Sequence, residues 1–257
     1  MTSKKLITII FLSSFLLSGC SLIPGNKTPA PTPTPQAAQL TPETAPFATL
    51  TITADKKTGG ISGHTFTMNL SNLSVQAKSI EYLLLYDLPD GRQQGIPGTI
   101  DLSGKTTITR DDLLMGSCSK VCRFDDGVTK GTIQLTYRDA SGGSVGDILG
   151  DWHLQAQDKK LTSVDGAFEF QPSKKTAGWF VTMTSLGLPA KIPEGKLIAG
   201  PYTVTASTKT DIPGTVSFRN AVAGSASDIY YWNTGNWEKL PSSQAPSVST
   251  FILVSPQ

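Results

Sequence analysis

The chain of 257 residues holds two histidines, His64 and His153, and three cysteines, Cys20, Cys118 and Cys122. A serine or cysteine nucleophile needs a base beside it, and these histidines supply the choice. His64 opens the alternating run His64-Thr-Phe-Thr-Met-Asn-Leu70, and His153 stands in Asp151-Trp-His-Leu154. Neither occupies a nucleophile elbow or a His-Glu-x-x-His zinc motif. Both read as histidines of a strand surface or core edge, and no catalytic residue is assigned. Carboxylates pair at Asp87/Asp90, Asp111/Asp112, Asp125/Asp126 and Asp147/Asp151. These aspartates sit among Gly, Ser and Pro, where aspartate caps turns through nearby backbone. None has the spacing of a calcium loop closed by glutamate, and calcium at Asp125-Asp126 is the minor alternative. With no glycine-rich phosphate cradle either, neither metal nor cofactor is expected.

A ligand surface has one candidate. In Asp228-Ile-Tyr-Tyr-Trp232, Tyr230 and Trp232 share a strand face and Tyr231 takes the other. Exposed Tyr231, Trp232 and Trp237 would stack on sugar rings. The competing reading packs Trp232 against Trp237 across a hairpin, with Tyr231 on the rim.

The first twenty residues read MTSKKLITIIFLSSFLLSGC. Lys4 and Lys5 precede an apolar run of about twelve residues, too short for a lone membrane helix but right for a secretory signal. The ending Leu17-Ser18-Gly19-Cys20 resembles the lipobox of bacterial lipoproteins. That resemblance implies loss of residues 1–19, a diacylglyceryl thioether on Cys20 and a palmitate-type acyl group on its new amino terminus. Two or more buried chains make such an anchor stable. With Cys20 acylated, Cys118 and Cys122 remain as an even pair in an oxidising compartment, where disulfides persist. Their spacing suits a short-loop disulfide. Free thiols are the alternative, because two ligands cannot close a zinc site.

Residues 20–47 are rich in Pro and Thr and hold seven of the 17 prolines. Such a stretch favours extended polyproline II and reads as a spacer of up to ~80 Å. After Phe47 the pattern changes to short alternating runs parted by Gly, Asp, Ser and Pro. Ala48–Ala54, His64–Leu70, Ser79–Tyr86, Gly98–Leu102, Lys105–Arg110, Gly131–Arg138 and Asp151–Ala156 read as strands. Arg110–Met115 is the one short helical candidate. The spacing predicts an immunoglobulin-like β-sandwich over 48–157. A second set of runs predicts another sandwich over 158–257, with Asn233-Thr-Gly-Asn236 turning a hairpin. The fold class is therefore all-β.

The order Pro193-Glu-Gly-Lys196, Gly200-Pro-Tyr-Thr-Val204, Ile212-Pro-Gly-Thr-Val-Ser-Phe218, Ile229-Tyr-Tyr-Trp232, Trp237-Glu-Lys-Leu-Pro241 and Ser249-Thr-Phe251 is similar to ZU5-like domains of bacterial surface proteins. Some of those domains cleave themselves at His-Phe-Ser. The matching strand here, Val248-Ser-Thr-Phe251, has no histidine, so that activity is not carried over. The first domain, with Gly116-Ser-Cys118 and Cys122, resembles immunoglobulin-like modules of bacterial lipoproteins.

Formal net charge is +2, and both surplus charges vanish with Lys4 and Lys5. A neutral mature chain disfavours nucleic acid, which needs clustered positive charge. The expectation is a non-enzymatic, lipid-anchored cell-surface protein. It would contact membrane through acylated Cys20 and bind an envelope glycan or surface protein, or act as a spacer. An extracytoplasmic hydrolase is the rival, to be recognised by His64 or His153 meeting two aspartates in one cleft.

Overall fold

Strand formation follows the period-two alternation of apolar and polar residues, and one strand breaks that alternation in an informative way. A computed structural model describes residues 39–256, except Ser74, Gln157, 209–210 and 220–226. The signal segment, Cys20 and residues 21–38 thus lie outside the described residues. Among the described residues there are eighteen strands and no helix. Nine strands form one antiparallel sheet. In spatial order these are β16 (Asn236–Lys239), β15 (Asp228–Asn233), β18 (Thr250–Ser255), β13 (Lys196–Ala206), β12 (Trp179–Thr184), β9 (Ser144–Ala156), β8 (Lys130–Arg138), β3 (Ser79–Asp87) and β4 (Gln93–Asp101). A second sheet joins β1 (Phe47–Ile52), β2 (Thr65–Ser71) and β5 (Ile108–Leu114). A third joins β10 (Leu161–Thr162), β11 (Phe168–Pro172), β14 (Gly214–Phe218) and β17 (Gln244–Ala245). β6 (Gly116–Cys118) and β7 (Cys122–Phe124) form a separate hairpin.

β12 reads Trp-Phe-Val-Thr-Met-Thr, and its four middle residues are all buried. Neighbouring side chains on a strand point to opposite faces, so β12 must be covered on both. Val181 and Met183 join a core with Leu50, Phe66, Met68, Leu135 and Trp152. Phe180 joins a different core with Phe168, Phe170, Tyr202, Val216 and Phe251. The two small sheets therefore cover opposite faces of the large one. β1 is fixed over β12 by the Leu50 amide, 3.3 Å from Met183 Sδ, and by Thr205 Oγ1 donating to the Leu50 carbonyl at 2.6 Å.

The sheet runs without a break across residue 157. β9 and β12 pair from Trp179↔Ala156 to Met183↔Trp152, and the residues from Gln36 onward form one compact unit. The two cores stay distinct, and the strand β12 serves both. The Pro/Thr-rich stretch also enters the fold before its expected end. The Leu40 amide donates to the Asp147 carbonyl at 2.9 Å, Ala45 and Pro46 are buried, and the Ala48 amide donates to Leu186 at 2.8 Å. The helical candidate at Arg110–Met115 is strand β5 instead, pairing with β2 from Leu70↔Ile108 to Thr65↔Leu114. Its exposed Arg110, Asp111 and Asp112 carry the charges that shield an edge strand. The hairpin at Asn233–Asn236 forms as expected: Thr234 and Gly235 both have positive φ, 38° and 111°, as a primed two-residue turn requires.

Because Met183 is fully buried beneath β1, Met183→Ala should lower unfolding free energy by ~2–5 kcal/mol. Urea denaturation checks this, and the region from β1 to β18 should unfold in one transition because β12 belongs to both cores.

Candidate functional site

The site is built on the β6–β7 hairpin. Gly116 starts it with φ 130°, and a Cβ there would lie 2.2 Å from the Arg123 carbonyl, so only glycine permits the closure. Cys118 faces Cys122 in the ladder, their Cα atoms 4.1 Å apart, and the two are joined as a disulfide. The tip is held from outside by Lys57 Nζ, which donates to the Ser119 carbonyl. Beyond β7 the Asp125 amide returns to the Met115 carbonyl at 3.1 Å. The disulfide thus fixes the residues that follow it, Phe124, Asp125 and Asp126.

Those residues meet His64. Its ring stacks on Phe124 with centroids 4.8 Å apart and planes at 17°. Nε2 lies 3.0 Å from Asp126 Oδ1, and Nδ1 lies 2.9 Å from Ser62 Oγ. Ser62 Oγ donates in turn to Asp55 Oδ2 at 2.7 Å. Asp55 also accepts from Thr65 and Thr58. Burial raises the Asp55 pKa, but the hydroxyl donors Thr65, Ser62 and Thr58 outweigh it and hold the carboxyl below its ordinary value of 3.8. Direction matters in this line of groups. With the Ser62 proton on Asp55, Nδ1 of His64 is the donor to Ser62. A nucleophilic serine needs the opposite arrangement, its proton passing to the imidazole. Ser, His and Asp are thus side by side in a proton order that does not activate the serine.

A cleft of about 260 Å³ adjoins this line and is lined by both histidines, Asp125, Asp158, Gln155 and Trp179. His153 comes from β9, with Nδ1 donating to the Thr162 carbonyl at 2.8 Å. Asp125 accepts from the Tyr86 hydroxyl at 2.7 Å; burial and then that carboxylate push the Tyr86 pKa upward. Gly63, at φ 87°, lets the Trp179 ring pack against its backbone, since a Cβ would lie 2.6 Å from the ring. The lining offers hydrogen-bond acceptors and no lysine or arginine. Asp125 and Asp126 diverge to Tyr86 and His64, which takes away the joint geometry a calcium loop needs. Among the described residues no group of three or more His, Cys, Asp or Glu is arranged to hold a metal ion.

The aromatic candidates sit elsewhere. Trp232 and Trp237 face each other across β15–β16, rings 5.3 Å apart at 69°. Trp237 Nε1 donates to the Ala190 carbonyl at 3.3 Å, and the Tyr231 hydroxyl donates to Glu238 at 2.6 Å. Their faces are turned onto neighbours, not laid out as a stacking platform. Cys20 lies outside the described residues. Sequence reasoning did not single out Asp55 or Ser62. Their signal is faint: an aspartate entering Lys-Lys-Thr-Gly-Gly, where the chain loops before β2 and buries the carboxylate.

Asp55 gives the site a pH signature. Its folded pKa is depressed, so its contribution to stability is whole above the unfolded value near 3.8 and is lost as pH falls through the lower folded value. Thermal melts from about pH 5 down to about pH 2 should show this loss, and Asp55→Asn should flatten it while lowering stability at neutral pH.

No protein-family model, no curated protein and no solved structure matches the chain.

Proposed function

We propose that the chain is a bacterial lipoprotein of the cell envelope, extracytoplasmic, held by acylated Cys20 and working by binding or as a spacer, not by catalysis. The observation that carries this is the run of residues leading from anchor to body. An apolar segment ends in Leu17-Ser18-Gly19-Cys20, a Pro/Thr-rich spacer follows, and the first described residues are fastened to the nine-stranded sheet through Leu40 and Ala48. A load applied through such a spacer passes into backbone hydrogen bonds of the largest sheet. In this proposal the N-terminal half is immunoglobulin-like and the C-terminal half ZU5-like, each with its own core and small sheet. The cleft beside His64 is the binding site, with an envelope glycan or surface protein as the class of partner.

A hydrolase is the second reading. It is favoured by both histidines, Asp125 and Asp158 lining one cleft, and opposed by the hydrogen bond that commits the Ser62 proton to Asp55. Labelling with a fluorophosphonate separates the two readings: the binding protein should leave Ser62 unmodified, and stoichiometric phosphonylation there would establish the hydrolase.

For the anchor, expression in a bacterial host fed labelled palmitate should yield a labelled protein that lacks residues 1–19 and partitions into detergent. Cys20→Ala should abolish the label and the cleavage. A Cys20→Ala protein that matures and stays in the membrane unchanged would sink the lipoprotein reading.

A further inference from the structure

We propose that the Cys118–Cys122 bond is a reducible latch on the His64 cleft, and that its partner is a dithiol reductant. Three observations combine. First, the hairpin that carries the bond is nearly separate: β6 and β7 share only three residue pairs and belong to no other sheet. A two-stranded ribbon of that length does not hold itself together in water, so the covalent bond maintains the pairing. Second, the hairpin's base supplies groups that close the cleft. Phe124 stacks on His64, Asp126 faces its Nε2 at 3.0 Å, and Asp125, Met115 and Gly127 line the cavity. Third, the bond is reachable: Cys118 is exposed, and Val121 beside it in the loop is 75% exposed.

The exchange balances without any group from the protein other than the two cysteines. A thiolate of the dithiol attacks one sulfur of the pair and forms a mixed disulfide. The second thiol of the reductant then displaces the remaining cysteine. One S–S bond breaks in the protein and one forms in the reductant, and two electrons and two protons pass to Cys118 and Cys122. With the bond open, β6 and β7 separate, Phe124 leaves the imidazole and Asp126 loses its hold on Nε2. The His64 side chain, 16% exposed with the latch closed, becomes accessible. His153 does not, because it is carried by β9 and bound to Thr162. Asp55 and Ser62 stay on the other side of the ring, and Lys57 loses only its carbonyl partner at the tip.

The latch rests on the reading of this cleft as a binding site, whose regulation it would be. Its test uses neither a ligand nor the anchor, so the two readings fail separately. The probe is diethyl pyrocarbonate, which acylates unprotonated imidazole, applied to the full chain in neutral detergent and read by peptide mass spectrometry. Reduction with dithiothreitol should raise the rate at His64 roughly tenfold, the population factor of one lost charge-assisted hydrogen bond. The rate at His153 should not change. The double variant Cys118→Ser, Cys122→Ser should show the same difference without reductant. If that variant does not fold, the reduced wild-type chain still decides the question. An unchanged His64 rate, an equal rise at both histidines, or a rise with reductant that a folded double variant fails to reproduce would each overturn the latch.

Discussion

Burial of β12 on both faces is the constraint on which the rest of the structure depends. A strand of this kind has no solvent side, so each face needs its own cover, and the chain supplies two small sheets to provide them. Val181 and Met183 draw β1 and β2 down on one side, while Phe180 draws β10, β11 and β14 onto the other. Fully burying side chains of this size is worth about 1.5–3 kcal/mol each, far more than any single hydrogen bond at the surface. The position of β2 relative to β9 follows from this packing. That position puts His64, which precedes β2, and His153, on β9, around one cleft.

The polar groups of the cleft have a different origin. They stand on loops and on the edges of strands, and their order comes from local hydrogen bonds and one covalent bond. Asp55 gathers three hydroxyl donors, and Ser62 links it to His64. The β6–β7 hairpin brings Phe124 and Asp126 from the opposite side. The ion pair of Asp126, whose side chain is 88% exposed, adds little energy in water. Its geometry depends on the disulfide that holds the hairpin closed. A loop of five residues gives that disulfide about 2 kcal/mol at most in the chain-entropy account. Its effect is local order, and the global fold is held by the cores.

Much of this was legible in the residues. Alternation marked β1, β2, β3, β8, β11, β14 and β18 to within a residue or two, because each has one buried face and one exposed or polar face. The Asn233–Asn236 turn was legible because its two central residues must take positive φ. The disulfide was legible because the two thiols stand four apart in a turn-rich stretch. What misled was Arg110–Met115, whose charged run looks locally helical and is strand only because β2 offers its edge. The extra lengths of β9 and β13 were hidden for a related reason: Gly146, Gly150 and Gly200 look like breakers. In fact Gly150 sits where the Thr184 carbonyl approaches within 2.4 Å of a would-be Cβ, and Gly200 lies in the bulge between β13 and β18.

The sequence by itself determined an all-β chain, its hairpin turns and the Cys118–Cys122 pairing, because side-chain period, φ preference and short loop closure act over a few residues. Tertiary structure alone decided that the two cores share β12, since a fully apolar strand says that both faces are covered without saying by what. It also decided that Asp55, Ser62, His64 and Asp126 form one line, for these residues span 72 positions and meet only after three sheet elements have packed. And it fixed the direction of the proton along that line, which no motif encodes: the direction depends on a buried carboxylate already holding the serine hydroxyl.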